Sequence, residues 1–375
     1  MKLSVLQENL AKGLSLVSRS VAPKAQLPVL GNILLATDKG RLKLSATNLE
    51  TGINYWLGAK IEKEGAISVP AKILTEFVSS LPSEKIELEV KENSLNLICG
   101  FYQASFVGLP ASEFPSVPTL KDKETFSFPS GELLKSISQV SFAAASDEGR
   151  PVLTGVLFQV KEDNLVLVAT DGYRLSFKKM GKVRGVGEAK EFKKGLIIPS
   201  RTLNEVGKIL TDQEQEKGMG LTITPSSNQI IFSTTEAEIV SRLIEGSFPE
   251  FEKIIPEKGT TKVVLETQDF IQAVRTAAIF ARESANIVKF TIRNSQFAIS
   301  SNAPQVGENL IELEIKQEGE DNKIAFNSRY LLDFLNSVDT EQISFEMTTP
   351  LNPGVFRPVG DPSYLHIIMP VRVQE

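Results

Sequence analysis

The chain has 375 residues but only one cysteine, one histidine and one tryptophan, and each scarcity removes a class of chemistry. Cys99 has no partner for an internal disulfide, which suits a reducing compartment; on a strand-like run it reads as a small buried apolar side chain. The one imidazole, His366, lies more than 260 residues from Cys99, which argues against a zinc site or a Cys–His pair. A Ser–His–Asp triad would need that same His366, and no G-x-S-x-G turn presents a serine. Within LHIIMP, His366 reads as a strand residue near a sheet edge. No G-x-x-x-x-G-K-[ST] loop is present to cradle phosphate. Gly181, Gly185 and Gly187 miss the dinucleotide-binding spacing, and their stretch, GKVRGVGEAKEFKKG, reads as a mobile basic hairpin.

Long apolar runs are missing too. None approaches the roughly 20 residues of a bilayer-spanning helix, and MKLSVLQENLAKGL lacks the apolar centre of a secretory signal. A cytoplasmic protein without membrane partners is expected. The acid pairs Asp147-Glu148 and Glu320-Asp321 sit among Ser, Gly, Lys and Asn, and read as solvated loop carboxylates rather than Mg²⁺ ligands. No metal, cofactor or catalytic residue is expected.

What the sequence does have is a long internal repeat. SVPAKILTEFVSSL, IIPSRTLNEVGKIL and AFNSRYLLDFLNSV place Pro70, Pro199 and Asn327 at spacings of 129 and 128 residues. Each copy has a basic residue two positions on (Lys72, Arg201, Arg329) and an acid four later (Glu76, Glu205, Asp333), the spacing of helical ion pairs. An earlier block recurs as QENLAKGLSLV, SGELLKSISQV and TQDFIQAVRTA. Its apolar stripe is Leu10, Leu14, Val17, then Leu133, Ile137, Val140, then Phe270, Val274, Ala277. Alternating strand-like segments follow every helix, so each repeat reads as strand–helix–strands, twice over. The fold expected is α+β, with three similar domains, each a doubled β-α-β-β-β unit. Proline-rich joints, LPASEFPSVPTLKDKET and IEGSFPEFEKIIPEKGTTK, set the domains at 1–122, 123–256 and 257–375.

A net charge of −5 argues by itself against nucleic-acid binding. The six predicted helices run against that sum, because their basic residues outnumber their acids. Lys12, Lys72, Lys135, Arg201, Lys208, Arg275 and Arg329 would recur on outward faces. With helices inside and sheets outside, such slots would line a hole that attracts phosphate without reading bases. Six half-domains span part of a circle, so closure would take a second copy joined head to tail.

These residues resemble the bacterial DNA polymerase III β subunit family of replicative sliding clamps. The likeness runs from MKLSV to MPVRV. It is most specific at LPVLGN (27–32), RPVLTGVLF (150–158), ATDGYRLS (169–176), SFPEFEKIIP (247–256) and IIMPVRV (367–373). The resemblance implies a homodimeric DNA clamp ring on double-stranded DNA, a processivity factor and non-catalytic subunit of the holoenzyme. It also implies a hydrophobic pocket for peptides of the replicative polymerase α subunit, the clamp loader, repair polymerases and other clamp-motif proteins. On this chain that pocket maps to Leu153, Thr170, Gly172, Tyr173, Arg174, Leu175, Pro249, Lys253, Ile254, Leu351, Pro353, Ile367, Ile368, Met369, Pro370, Val371 and Arg372. Family DNA contacts map to Lys24 and Arg150, and the subunit contact to Phe106, Ile279 and Phe280. Where some members carry aromatics after the loop arginine, Pro151 and Val152 stand here, and Ala285 replaces a bulky pocket-edge aromatic. Two readings compete with a clamp: a repeat scaffold that binds proteins only, and a hydrolase built on the acidic loops.

Overall fold

The computed structural model describes residues 1–22, 27–120, 126–162, 164–181, 190–211, 218–224, 228–256 and 258–372. Seven helices fall within them: α1 Gln7–Val17, α2 Ala71–Ser80, α3 Ser130–Val140, α4 Lys190–Lys194, α5 Ser200–Thr211, α6 Thr267–Ala281 and α7 Ser328–Leu335. Six correspond to the repeated blocks. The seventh, α4, is a single turn anchored by buried Phe192, in the stretch expected to be a basic hairpin. Gly185 and Gly187 lie outside the described residues. No described helix is long and apolar enough to cross a membrane.

The predicted stripes are the buried faces. Leu10, Leu14 and Val17, then Leu133, Ile137 and Val140, then Phe270, Val274 and Ala277 are each at most 3% exposed. Such faces contribute about 25 cal/mol per Å² of apolar area removed from water. The repeat's Pro/Pro/Asn slot marks helix entry: Pro70 is the N-cap of α2, and Asn327 caps α7 by accepting the Arg329 backbone N–H at 2.9 Å.

Two compact units are formed. The first contains Met1–Ser130 with Lys208–Leu243, and the second Gly131–Gly207 with Ile244–Glu375. In the first, a five-stranded sheet runs Lys60–Lys63, Lys2–Leu6, Lys85–Lys91, Ser94–Cys99, Tyr102–Val107. Its eight-stranded sheet runs Phe126–Phe128, Met219–Thr224, Gln229–Ser233, Ala237–Arg242, Thr51–Gly58, Arg41–Thr47, Asn32–Asp38, Ala66–Pro70. In the second unit, a nine-stranded sheet runs Leu196–Pro199, Gly155–Lys161, Asn164–Thr170, Arg174–Lys179, Tyr364–Ile368, Gly354–Pro358, Gln342–Met347, Thr261–Glu266, Lys316–Gly319. A four-stranded sheet there runs Gly307–Glu314, Gln296–Ala303, Ile287–Arg293, Asn322–Asn327.

Two features of this topology are not visible in the linear pattern. The strand before each helix pairs with the other half of its own repeat: Leu3 opposes Leu88, Phe126 opposes Leu221, and Val263 opposes Phe345. The large sheets then join neighbouring repeats, through Ile239 opposite Ile53 and Ser176 opposite His366. His366 is therefore at the centre of the nine-stranded sheet and fully buried, not near an edge. Its neighbours Leu365 and Ile367 belong to a run buried by the layers on both faces, which puts a polar ring inside.

The third repeat's core is aromatic. Phe345 stacks on Phe356 at 4.7 Å, and Phe326 meets both edge-on at 5.9 and 5.7 Å, all within the ordinary range for ring pairs. Gly354 leaves room for this cluster. A Cβ built there would lie 2.4 Å from Phe326 Cζ and 2.8 Å from Phe345 Cε2. Gly354→Ala should therefore destabilise the protein by about 1–3 kcal/mol through overpacking. Denaturant unfolding measures it, and an unchanged midpoint would show that the rings yield freely.

Candidate functional site

The chain reversal between strands Asn164–Thr170 and Arg174–Lys179 is held by its own side chains. Asp171 Oδ1 accepts the N–H groups of Tyr173 at 2.8 Å and Arg174 at 3.0 Å, an Asx turn. Thr170 Oγ1 accepts the Gly172 N–H at 3.0 Å and donates to the Arg174 carbonyl at 2.6 Å. Gly172 sits at φ +91, where a side chain would be strained. The turn throws Tyr173 outward, 61% exposed.

Arg174 is the centre of this corner. Its Nε donates to Asp171 Oδ2 at 3.1 Å, one terminal nitrogen to Asp333 Oδ2 at 2.5 Å and the other to the Phe142 carbonyl at 2.7 Å. The guanidinium also lies 4.5 Å from the Tyr330 ring centre and 5.5 Å from that of Phe142. A side chain only 10% exposed needs such partners to stay charged. Asp333, expected to pair with Arg329 along α7, points to Arg174 instead: the nearly buried cation has more to gain from a carboxylate than an exposed one.

Strand Arg174–Lys179 pairs with Tyr364–Ile368, setting Arg174 opposite Ile368 and Leu175 opposite Ile367. The bonding continues past the strands: the Met369 N–H donates to the Tyr173 carbonyl at 2.8 Å, and the Val371 N–H to the Ala325 carbonyl at 2.8 Å. Beneath, Leu157, Leu175, Ile197, Phe251, Val355 and Ile367 form a buried apolar cluster, with Val152 and Ile255 packed against it.

The mapped pocket residues divide by depth. Leu153, Thr170, Leu175, Ile367 and Ile368 are buried and form structure beneath the surface. Tyr173, Ile254, Leu351 and Met369 present exposed apolar surface. Pro353, Pro370 and Val371 are half-buried, while Gly172, Pro249, Lys253 and Arg372 are exposed. They also fall in different concavities. Leu351, Val371 and Arg372 line a groove of about 810 Å³ against strands Ile287–Arg293 and Asn322–Asn327. Pro249 and Lys253 line one of about 510 Å³ with Leu157, Gly195 and Phe248, and Lys253 pairs with Glu250.

Lys24 lies outside the described residues. Arg150 is exposed, and its guanidinium donates to the Asp171 carbonyl at 2.9 Å, which ties that loop to the Tyr173 turn. Lys12, Lys72, Lys135, Arg201, Lys208, Arg275 and Arg329 are all exposed on their helices. Lys135 pairs with Asp339 at 3.2 Å and Arg201 with Glu148 at 3.6 Å. Exposed pairs of this kind are worth about 0–1 kcal/mol. Asp147 Oδ1 accepts the Gly149 N–H, and no group of three or more potential metal ligands gathers among the described residues.

Phe106 is only 7% exposed and packs edge-on against Phe77 at 5.7 Å. The exposed apolar residues beside it are Phe101, in the turn before strand Tyr102–Val107, and Tyr102 and Val107 on that strand, which is the unpaired edge of its sheet. Adjacent aromatics at a hairpin tip, Phe101-Tyr102, were the available signal for them. In the second unit Ile279 is 61% exposed, and Phe280 lies near Gly307, where another unpaired edge strand begins.

The comparisons with known proteins bear on the whole chain. Three family models match in order: DNA polymerase III beta subunit, N-terminal domain, at residues 1–118; central domain, at 127–250; and C-terminal domain, at 252–372. A beta sliding clamp from Synechococcus elongatus is 31% identical, with all of both chains covered. Among solved structures, a DNA polymerase sliding clamp from Bacillus subtilis superposes with a TM-score of 0.92 at 27% identity, covering both chains fully. A sliding clamp from Bartonella birtlesii bound to griselimycin gives 0.92 at 30% identity, again over both full chains.

His366 adds a pH dependence below the turn. It is fully buried, stacked on Phe334 at 5.3 Å, with Nδ1 2.6 Å from Ser176 Oγ and no partner on Nε2. Burial pushes its pKa well below the ordinary value, and the Arg174 cation adds to the shift. The unfolded histidine takes a proton near pH 6.5 and the folded one does not. Stability is thus intact above about pH 6.5 and is lost as pH falls below it. His366→Asn, which cannot titrate, should flatten unfolding midpoints between about pH 6.5 and 5. A slope unchanged by the substitution would assign the effect to carboxylates.

Proposed function

Because the chain belongs to the DNA polymerase III beta subunit family, we propose that it is a non-catalytic processivity factor: two copies join head to tail into a ring around duplex DNA and tether the polymerase. The observation that carries this reading is the threefold repeat, matched along its length by the N-terminal, central and C-terminal domain models in order. We assign the three domains to 1–122, 123–256 and 257–375.

The physical side of the reading is a division of charge. The body is acidic, at −5 overall, while one helical slot, that of Lys72, Arg201 and Arg329, is basic and exposed in every repeat. Lys12, Lys72, Lys135, Arg201, Lys208, Arg275 and Arg329, with Lys24 and Arg150, would meet phosphates without reading bases. Such contacts are salt-sensitive and let a protein slide. Retention then depends on topology rather than affinity. A preparation loaded on nicked circular plasmid should be lost when the plasmid is linearised, and retention on free-ended DNA would count against a sliding ring.

Closure would use the edge strand Tyr102–Val107 of one copy and the Gly307–Glu314 edge of the other. Phe101, Tyr102, Val107, Ile279 and Phe280 supply apolar contact there, with Phe106 as a buried support. Tyr173, Ile254, Leu351 and Met369 are the exposed anchors of the partner-peptide pocket, and Arg174 holds its rim. Double-stranded DNA, a second copy, the replicative polymerase α subunit, the clamp loader and repair polymerases are the partners. Met369→Ala combined with Leu351→Ala should weaken peptides from those proteins by about tenfold or more, a loss of roughly 1.4 kcal/mol or more, leaving the dimer mass intact in light scattering. Unchanged peptide affinity would place the pocket elsewhere.

A further inference from the structure

The groove of about 810 Å³ is lined by Leu351, one of the exposed anchors named above, and extends onto strands Ile287–Arg293 and Asn322–Asn327. One wall is Leu351 with Pro350, and another is Val371 and Arg372, held by the hydrogen bond from Val371 N–H to the Ala325 carbonyl. Its floor is the outer face of two paired strands. Lys289 stands opposite Ala325 and Thr291 opposite Lys323, so both lysines are on one face as diagonal neighbours across the ladder. Lys289, Lys323 and Arg372 are all exposed. Among the described residues Lys289 and Arg372 have no ion-pair partner. Following the same face across the sheet, Lys289 leads to Ser300 and Leu310, and Thr291 leads to Ala298 and Glu312. The carboxylates on that face of the outer strand, Glu308, Glu312 and Glu314, are thus two strands from Lys289 and three from Lys323. Glu314, on the same strand as Glu312, faces Gln296 one step further along. A concentrated positive rim on an acidic chain, around an apolar wall, is complementary to an acidic segment with one apolar residue.

We propose that this groove takes an acidic, apolar-anchored flank of the partner peptide, a stretch carrying two carboxylates either side of a leucine-like side chain. The inference rests on the peptide-docking reading and extends it: Tyr173, Ile254, Leu351 and Met369 hold the peptide's apolar core, and Lys289, Lys323 and Arg372 select among partners by the charge of the adjoining residues. The lysine stems cover apolar surface while their ammonium groups meet the carboxylates. Exposed pairs contribute little singly, so the flank discriminates among peptides rather than anchoring them.

The test uses the full-length protein and the clamp-binding peptide of its polymerase α subunit, fluorescently labelled. It is made plain, and with Glu-Leu-Glu or Gln-Leu-Gln appended at each end in turn. For one end, the Glu form should bind about three- to tenfold more tightly than the Gln form at low salt. The difference should vanish at about 1 M salt, where screening reaches ~3 Å, and in a Lys289→Glu, Lys323→Glu protein. That variant should bind the plain peptide as the wild type does, which also reports that it is folded. Failure of the plain peptide to bind the wild type would sink the docking reading itself. Binding of the plain peptide with equal affinity for Glu and Gln flanks would overturn the groove inference alone. So would a Glu preference that survives in the lysine variant.

Discussion

The ladder between Arg174–Lys178 and Tyr364–Ile368 is the constraint on which the rest of the second unit depends. Its partners are about 190 residues apart in the chain, so closing it costs conformational entropy that local contacts cannot offset. The compensation is in its surroundings. The ladder is buried, its backbone groups are paired, and Leu175 and Ile367 meet on it as part of one apolar cluster. Register then does the positioning. Side chains alternate along both strands, so a slip by one residue would turn Leu175 to the wrong face and carry Met369 away from the Tyr173 carbonyl. The surface features follow from a core decision.

Arg174 converts that register into a corner. Three separate segments supply its partners: the Asp171 turn, the Phe142 carbonyl, and α7 through Asp333 and Tyr330. A nearly buried guanidinium has five donors, and two carboxylates and a carbonyl each accept one hydrogen bond from it. Removing one carboxylate would leave a charge partly unpaired in a poor solvent, a cost larger than the net worth of the pair. That asymmetry explains how a polar residue can stiffen an otherwise apolar rim. It also explains why Asp333 forgoes its helical neighbour Arg329.

Much of this architecture was legible because helical amphipathicity is local. Leu10, Leu14, Val17 and their counterparts fix the buried faces through a 3.6-residue period that needs no knowledge of the fold. Strand partners carry no such signal. Alternation marks a strand but not its neighbour, so the exchange of first strands between the halves of a repeat was hidden. His366 was misplaced for the same reason: an apolar run with one histidine does not say whether it is an edge or the middle of nine strands. The site was legible as a set of motifs, and less so as a surface. ATDGYRLS includes both exposed Tyr173 and buried Leu175, and only the Asx turn, not the motif, separates them.

Repetition and its absence divide the labour of the chain. A residue type repeated at equivalent helical slots presents similar charge to any polyanion, so Lys72, Arg201 and Arg329 are suited to contacts that must not discriminate. Selectivity needs the opposite, features that occur once. The Gly172 turn, the segment from Met369 to Arg372, and the lysine pair Lys289 and Lys323 have no equivalents in the recurring blocks. They also lie within one unit, joined by the 174–368 ladder and the Val371–Ala325 bond. Substitutions can therefore accumulate there without altering the repeated basic slots. The exposed lysines can change sign at little cost to stability, whereas the buried ladder beneath them cannot.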